Sequence, residues 1–158
     1  MSGLHLERSH FEIGIAAIAD FAAGDVFSDV VNMKNYGRAR FITHWGVGAT
    51  GIVKLTVEAC DDVVPTNVTK VPFWYRINTA GVAGAITRAA VAADGVSNLV
   101  GSNQVIEIEV LAEDLAVTGR QYVRLSIDET TDSPLLGGVL IEQLDPRYQP
   151  ALATSTLT

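Results

Sequence analysis

The stretch GIVKLTVEAC, residues 51–60, has an apolar side chain at every second position from Val53 to Ala59. Lys54, Thr56 and Glu58 occupy the positions between them. Successive side chains of a β-strand point to opposite faces of the sheet, so this alternation is typical of a strand with one buried and one solvated face. The stretch therefore predicts an antiparallel sheet.

The same alternation recurs in the segments Arg38–Trp45, Ile106–Val110 and Tyr122–Ile127. Each is rich in β-branched residues and is bounded by Gly, Asn or Asp, as strands usually are. Weaker strand candidates are Val26–Met33, Phe73–Ile77 and Val139–Leu144. About seven such strands predict an all-β fold, either an antiparallel β-sandwich or a small barrel.

The pattern divides the chain into a single β domain, residues 25–145, and two terminal segments. Residues 1–24 form an N-terminal arm or a short helix: Phe11, Ile15 and Ile18 have helical spacing, while Phe11, Ile13 and Ile15 also alternate as in an extended arm. Both alternatives stay open. Residues 146–158 are predicted to form an extended C-terminal tail, because the prolines at its start fix their backbone.

One long loop, residues 78–103, interrupts the β domain and consists mainly of Ala, Gly, Val, Thr and Asn. Loops of this length are uncommon in compact domains and are usually functional or mobile. A short helix is possible at Ala85–Ala93, and a single turn is expected at Glu113–Leu115.

Composition and charge exclude several classes of protein. Apolar residues make up 48% of the chain and charged residues only 18%, against about 25% usually, which excludes a disordered chain. No run approaches the roughly 20 apolar residues of a membrane span. The net charge is −7 and the cations are scattered, so we expect neither nucleic acid nor a membrane surface as a partner. The acidic N-terminus is unlike a signal peptide and predicts intracellular synthesis.

Residues 46–51 read GVGATG, a literal G-x-G-x-x-G motif. The dinucleotide fingerprint needs a helix after these glycines, whereas here the alternating strand follows. We interpret the motif as a hairpin loop whose glycines supply positive φ.

Other sequence features give no catalytic, cofactor-binding or metal-ligating residues. His5 and His10 are five residues apart, which matches neither helical nor strand spacing for a metal pair. Glu107 and Glu109 share a strand face, where such pairs are usually solvated. The lone Cys60 excludes an internal disulfide. We expect no enzymatic activity.

Three aromatic residues are adjacent at Phe73, Trp74 and Tyr75. In a strand, Trp74 points away from the face that Phe73 and Tyr75 share. Trp74 is then either a further packing residue or part of a contact patch, for a protein partner or for a stacked sugar ring.

Several further motifs are spread over nearly the whole chain and have scaffold character. They are LERSHF at 6–11, VNMKNYG at 31–37, GATG at 48–51, EACDD at 58–62, VPTN at 64–67, YVRL at 122–125 and DPRYQ at 145–149. Through them the chain resembles a family of small virion structural proteins of tailed bacteriophages, commonly encoded among capsid genes.

This resemblance implies a capsid decoration (cement) protein on the outer surface of the virion, synthesised in the host cytoplasm. Its partners would be the major capsid protein and further copies of itself, as trimers or dimers. The alternative is a head-tail (neck or tail) component, or a head-fibre or adhesin module that binds host-surface glycan. The expected partner contacts are Leu4, Leu6, Phe11, Ile13 and Ile15 in the N-terminal arm, Trp74, and Arg147 and Tyr148 in the tail.

Overall fold

Two antiparallel sheets make up the part of the chain that the computed structural model describes, residues 8–46, 50–89 and 95–147. Strands are numbered in chain order. The first sheet contains, in spatial order, β1 (Ser9–Ile18), β12 (Gly137–Pro146), β4 (Tyr36–Trp45), β10 (Gln104–Leu111), β7 (Phe73–Thr79) and β8 (Thr87–Ala89). The second contains β2 (Val26–Phe27), β11 (Tyr122–Thr131), β5 (Ile52–Cys60) and β6 (Val68–Val71), with β3 (Val31–Asn32) paired to β11 and β9 (Val96–Ser97) paired to β5.

The core lies between the two sheets and uses the apolar positions of the alternating strands. Phe41 and Ile108 of the first sheet and Leu55 and Leu125 of the second are fully buried. Burying one such side chain contributes about 1.5 to 3 kcal/mol. The predicted all-β fold is confirmed, and of the two architectures that the sequence left open, the sandwich is the one observed.

Strand β5 is buried on both faces, unlike the half-solvated strand that its alternation predicts. Thr56 and Glu58 point away from the core, yet both are buried. Strand β9 pairs with β5, and Gly95 lies so close that a Cβ there would come within 2.5 Å of the carbonyl oxygen of Leu55. The end of the long loop therefore covers the outer side of β5.

Residues 9–18 are extended, which decides between the two alternatives for the N-terminal segment. They form β1, which pairs with β12 from Ser9 opposite Leu144 to Ile18 opposite Gly137. The register shifts after Ile13, around Gly14. A Cβ at Gly14 would lie 2.8 Å from the side chain of Ile141, so glycine permits this close approach.

Two local predictions are wrong. The possible helix at Ala85–Ala93 is absent from the described part of that segment, because residues 87–89 form β8 at the edge of β7, and sheet pairing outweighs helix propensity. The motif at residues 46–51 is not a hairpin, because β4 and β5 belong to different sheets.

The glycines of this motif also have another role than the one predicted. Gly46 and Gly51 lack positive φ, and residues 47–49 lie outside the described residues. A Cβ at Gly51 would lie 2.5 Å from the carbonyl oxygen of Ser133, so close approach explains this glycine.

One predicted short segment is observed, and three short strands were not expected from the sequence. The turn expected at Glu113–Leu115 is the short helix α1 (Ala112–Ala116), between β10 and β11. Strands β6, β8 and β9 were not anticipated, and each has four residues or fewer.

Candidate partner-binding surface

The outer face of the first sheet, turned away from the core, carries most of the predicted contact residues that the structure describes. One row across the sheet runs Phe11, Glu142, Arg40, Glu109 and Trp74, on β1, β12, β4, β10 and β7. Neighbouring strands are about 4.8 Å apart, so Phe11 and Trp74 are about 19 Å apart across the face. The row therefore has an aromatic residue towards each edge and charges between them.

The adjacent row divides into an apolar half and a charged half. It runs Ile13, Leu140, Ile42, Glu107 and Arg76 on the same five strands. Directly opposed side chains on one face interact, so the three apolar residues form one patch and the last two form an ion pair. These two rows lie side by side on the outer face.

Glu107 is the centre of the charge network. Its carboxylate accepts hydrogen bonds from Arg76 Nε at 2.7 Å, from Arg76 Nη2, and from Asn78 Nδ2 at 2.9 Å, and Arg40 Nη1 lies 3.5 Å away. Burial raises the pKa of Glu107, but the hydrogen bonds from Arg76 and Asn78 and the charges of Arg76 and Arg40 outweigh it and lower the pKa overall. The carboxylate is thus held ionised by its neighbours.

Three further ion pairs extend the network along β10 and towards β12. Arg40 Nη2 lies 2.5 Å from the fully buried Glu142, and Arg38 contacts Asp145 at 2.5 Å and Glu109 at 3.3 Å. The hydrogen bond to Asp145 is the main cause of a raised Arg38 pKa. Burying a carboxylate is costly unless it is paired, so Arg40 stabilises Glu142 within the sheet.

An apolar groove of about 340 Å³ lies where β1, β12 and β4 meet. Its walls include Ile13, Ile15, Ile42, His44 and Leu140. Ile13 is 64% exposed and Leu140 is 46% exposed, which is unusual for large aliphatic side chains next to each other. A groove of this kind is typical of a surface that a partner covers.

A second cleft, of about 330 Å³, lies beside Trp74 at the other side of the outer face. Trp74 is 36% exposed and is bordered by Ile86, Arg76 and Glu109. Phe73 is fully buried and packs on Tyr75 with ring centroids 6.2 Å apart. The predicted separation of Trp74 from its two neighbours is therefore observed, and Trp74 faces outwards.

The structure places the other predicted contacts less uniformly. Ile15 is half-buried and packs against the core, although it also borders the apolar groove. Arg147 follows β12, and its backbone N–H donates to the carbonyl of Asn35 at 2.8 Å. Leu4, Leu6 and Tyr148 lie outside the described residues.

Several residues of this surface were missed by sequence reasoning, namely Ile42, Leu140 and the arginines that pair with Glu107 and Glu142. Alternation along each strand shows that these side chains point away from the core. It does not show which strands are neighbours, because β12 and β4 are far apart in the sequence. The groove and the charge network depend on that pairing.

The described residues contain no group of three His, Cys, Asp or Glu side chains arranged to hold a metal ion. No helix in the ranges given above is long and apolar enough to span a membrane. The polar groups of the outer face bind one another, which is typical of a structural ion-pair network.

Comparisons with known proteins add little to this description. No protein-family model matches the chain, and no curated protein matches it. A matching solved structure is the VP2 subviral particle of infectious bursal disease virus, with 10% sequence identity and a TM-score of 0.26. The match covers 94% of this chain but 43% of that chain. A TM-score this low does not establish a shared fold.

Proposed function

We propose that the protein is a non-enzymatic virion structural protein that decorates the assembled capsid shell and stabilises it by binding across major capsid protein subunits. The observation that carries this proposal is the outer face, where Ile13, Leu140 and Trp74 are exposed beside a charge network whose members pair with one another. The motif resemblance to tailed-bacteriophage virion proteins supports the same class of function.

The dimensions of the outer face agree with a stable protein contact. Strands β1, β4 and β12 have ten residues each, β10 has eight, β7 has seven and β8 has three. At about 3.3 Å per residue and about 4.8 Å per strand, the face covers about 760 Å², close to the roughly 800 Å² that each partner contributes to a standard interface. The outer face alone is thus large enough for specific binding.

A decoration protein stabilises a shell by binding the assembled form more tightly than the free subunits. This requires no chemistry at the surface, only contacts that exist once neighbouring subunits are in place. The charge network suits such a surface, because ions that are already paired lose less on desolvation than isolated ones. The apolar groove would supply most of the favourable free energy.

The test uses capsids assembled without this protein and purified protein added back. The binding variant carries both Ile13→Ser and Leu140→Ser. The control, Val64→Ser, also replaces an exposed aliphatic side chain with Ser, at a residue that is 77% exposed in the loop before β6. Each lost aliphatic contact corresponds to about 1 kcal/mol or more, so the double variant should bind at least about 10-fold more weakly.

Cosedimentation and densitometry give the number of bound copies per capsid. We expect each capsid to bind hundreds of copies of the wild type or of Val64→Ser. These decorated capsids should be disrupted at a higher temperature than undecorated capsids. Equal binding by the double variant, or no binding by the wild type, would contradict the proposal. Deletion of residues 1–15 is a less clean test, because it removes most of β1 and uncovers β12.

A glycan-binding role, as an adhesin or head-fibre module, is the second candidate, and the cleft beside Trp74 favours it. An exposed indole bordered by arginine and carboxylate side chains offers both stacking and hydrogen bonding to a sugar ring. Glycan-array binding that is lost in Trp74→Ala would support this role. A copy number near the symmetry of the tail, instead of hundreds, would favour a neck, tail or adhesin position over decoration.

A further inference from the structure

Strand β1 forms one edge of the first sheet, and among the described residues its neighbouring strand is β12 alone. An edge strand presents backbone N–H and C=O groups that can pair with another chain. Natural proteins commonly protect such edges with Pro, charged side chains, a short strand or a bulge. Residues 9–13 contain neither Pro nor Lys, their one carboxylate, Glu12, already lies 3.1 Å from His10, and the bulge of β1 comes only at Gly14.

We propose that β1 pairs antiparallel with β1 of a second copy, with Phe11 facing Phe11 across a two-fold axis. The regular part of the strand, residues 9–13, is centred on Phe11. Beyond it the backbone N–H of Asp29 donates to the carbonyl oxygen of Gly14 at 3.0 Å, so the chain itself covers the edge there. The two first sheets would join into one twelve-stranded sheet.

Charge disfavours the register with its axis at Glu12, and the pairing of Phe11 with Phe11 favours this register over the one with its axis at His10, where Glu12 would face Arg8. His10 and Glu12 lie on the same side of β1, with His10 Nε2 3.1 Å from Glu12 Oε1. A two-fold axis at Phe11 places His10 opposite Glu12 of the second copy, twice in the dimer. An axis one residue later would place the two Glu12 carboxylates opposite each other, and directly opposed like charges destabilise a sheet.

The same register uses the exposed apolar side chains of the edge. Phe11 is 46% exposed, and in the dimer its ring would meet the ring of the second copy. Aromatic cross-strand pairs are among the more favourable ones. Ile13 would lie diagonally next to that pair, so the apolar grooves of the two copies would flank the axis on one continuous face. A two-fold contact of this type is self-complementary and closed.

The test is the mass in solution, measured by sedimentation equilibrium on the full chain at 1 to about 200 µM. His10→Glu places two carboxylates opposite each other at both pairs and should raise the dimer Kd by about 5- to 30-fold. The double variant His10→Glu/Glu12→Lys restores opposite charges and should recover wild-type dimerisation or exceed it. The matched control, Val64→Glu, adds one carboxylate at a residue that is 77% exposed in the loop before β6, outside β1 and the apolar groove, and should dimerise as the wild type does.

A monomeric wild type at about 200 µM would overturn this proposal, as would a double variant that stays as weak as His10→Glu. Loss of dimerisation in Val64→Glu would also overturn it, because added negative charge away from β1 would then explain the effect of His10→Glu. Capsids are absent from the measurement, so its failure would leave the decoration proposal standing, and a failure of capsid binding would leave the dimer standing.

Discussion

Substitution of Glu107 by Gln tests whether the charge network contributes to the stability of the fold. The change keeps the size of the side chain and one acceptor oxygen, but removes the negative charge to which Arg76 and Asn78 donate. A hydrogen bond to a charged group contributes about 1.5 to 3 kcal/mol. Arg76 is more than one-third exposed, so solvent screening reduces this figure, and we expect a loss of about 1 to 2 kcal/mol at pH 7.

The loss should depend on pH with a definite sign. The pKa of Glu107 is lowered in the fold, so its contribution is fully present above the ordinary value of 4.5 and is lost as the pH falls through the folded value. The difference between wild type and Glu107→Gln should therefore be constant from pH 5 to 7 and shrink in more acidic solution. A protein of this size changes its Tm by about 2 to 4 °C per kcal/mol, so the expected shift at pH 7 is about 2 to 8 °C.

The matched control is Glu109→Gln, two residues further along the same face of β10. Glu109 contacts Arg38 at 3.3 Å and is more exposed than Glu107, so this variant should lose less than about 1 kcal/mol. Urea titrations and thermal scans at pH 7 and pH 3 measure both variants. Equal effects of the two substitutions, or a Glu107→Gln deficit that is as large at pH 3 as at pH 7, would refute the assigned role.

One glycine substitution and one thiol reagent test how closely the strands are packed. A Cβ at Gly137 would overlap the carbonyl oxygen of His44, so Gly137→Ala should lower the free energy of unfolding, measured by urea titration, by about 1 to 3 kcal/mol. The control Gly46→Ala should have little effect, because no atom lies within 4 Å of a Cβ at that position. An unchanged free energy of unfolding in Gly137→Ala would contradict the close packing of Gly137 against β4. Burial raises the pKa of Cys60 to about 11, so an aromatic disulfide reagent at pH 8 should label no thiol in the native protein and one in urea. Rapid native labelling would show that β5 is less well covered than described.

The long strands could be predicted from the sequence because their alternation is local. Arg38–Trp45 and Tyr122–Ile127 were identified within a few residues of the observed bounds of β4 and β11. The short strands β8 and β9 could not be, because two or three residues carry no periodicity. They form only because β7 and β5 offer a pairing edge, which is a property of the folded molecule.

The candidate surface was predictable only in part. The exposed positions of Phe11, Ile13 and Trp74 were anticipated, and the structure places all three on the outer face. Their common location depends on the pairing of β1 with β12 and of β10 with β7, between segments distant in the chain.

The role of Asp61 was also not predicted from the sequence. Its carboxylate accepts hydrogen bonds from Thr66 and Asn67 and closes the loop before β6. These hydrogen bonds, led by the one from Thr66, lower the pKa of Asp61.

The charged row of the outer face also determines how the strands align lengthwise. A slip of one residue would turn apolar side chains to solvent, so the core forbids it. A slip of two residues keeps every apolar residue inside, since Ala39, Phe41 and Thr43 would again face the core. In one direction, however, it would leave the buried Glu142 opposite Ile42, and in the other it would place Glu142 opposite Arg38 and separate Arg38 from Asp145. The ion pairs thus favour the observed alignment over misaligned sheets that hydrophobic burial alone would accept.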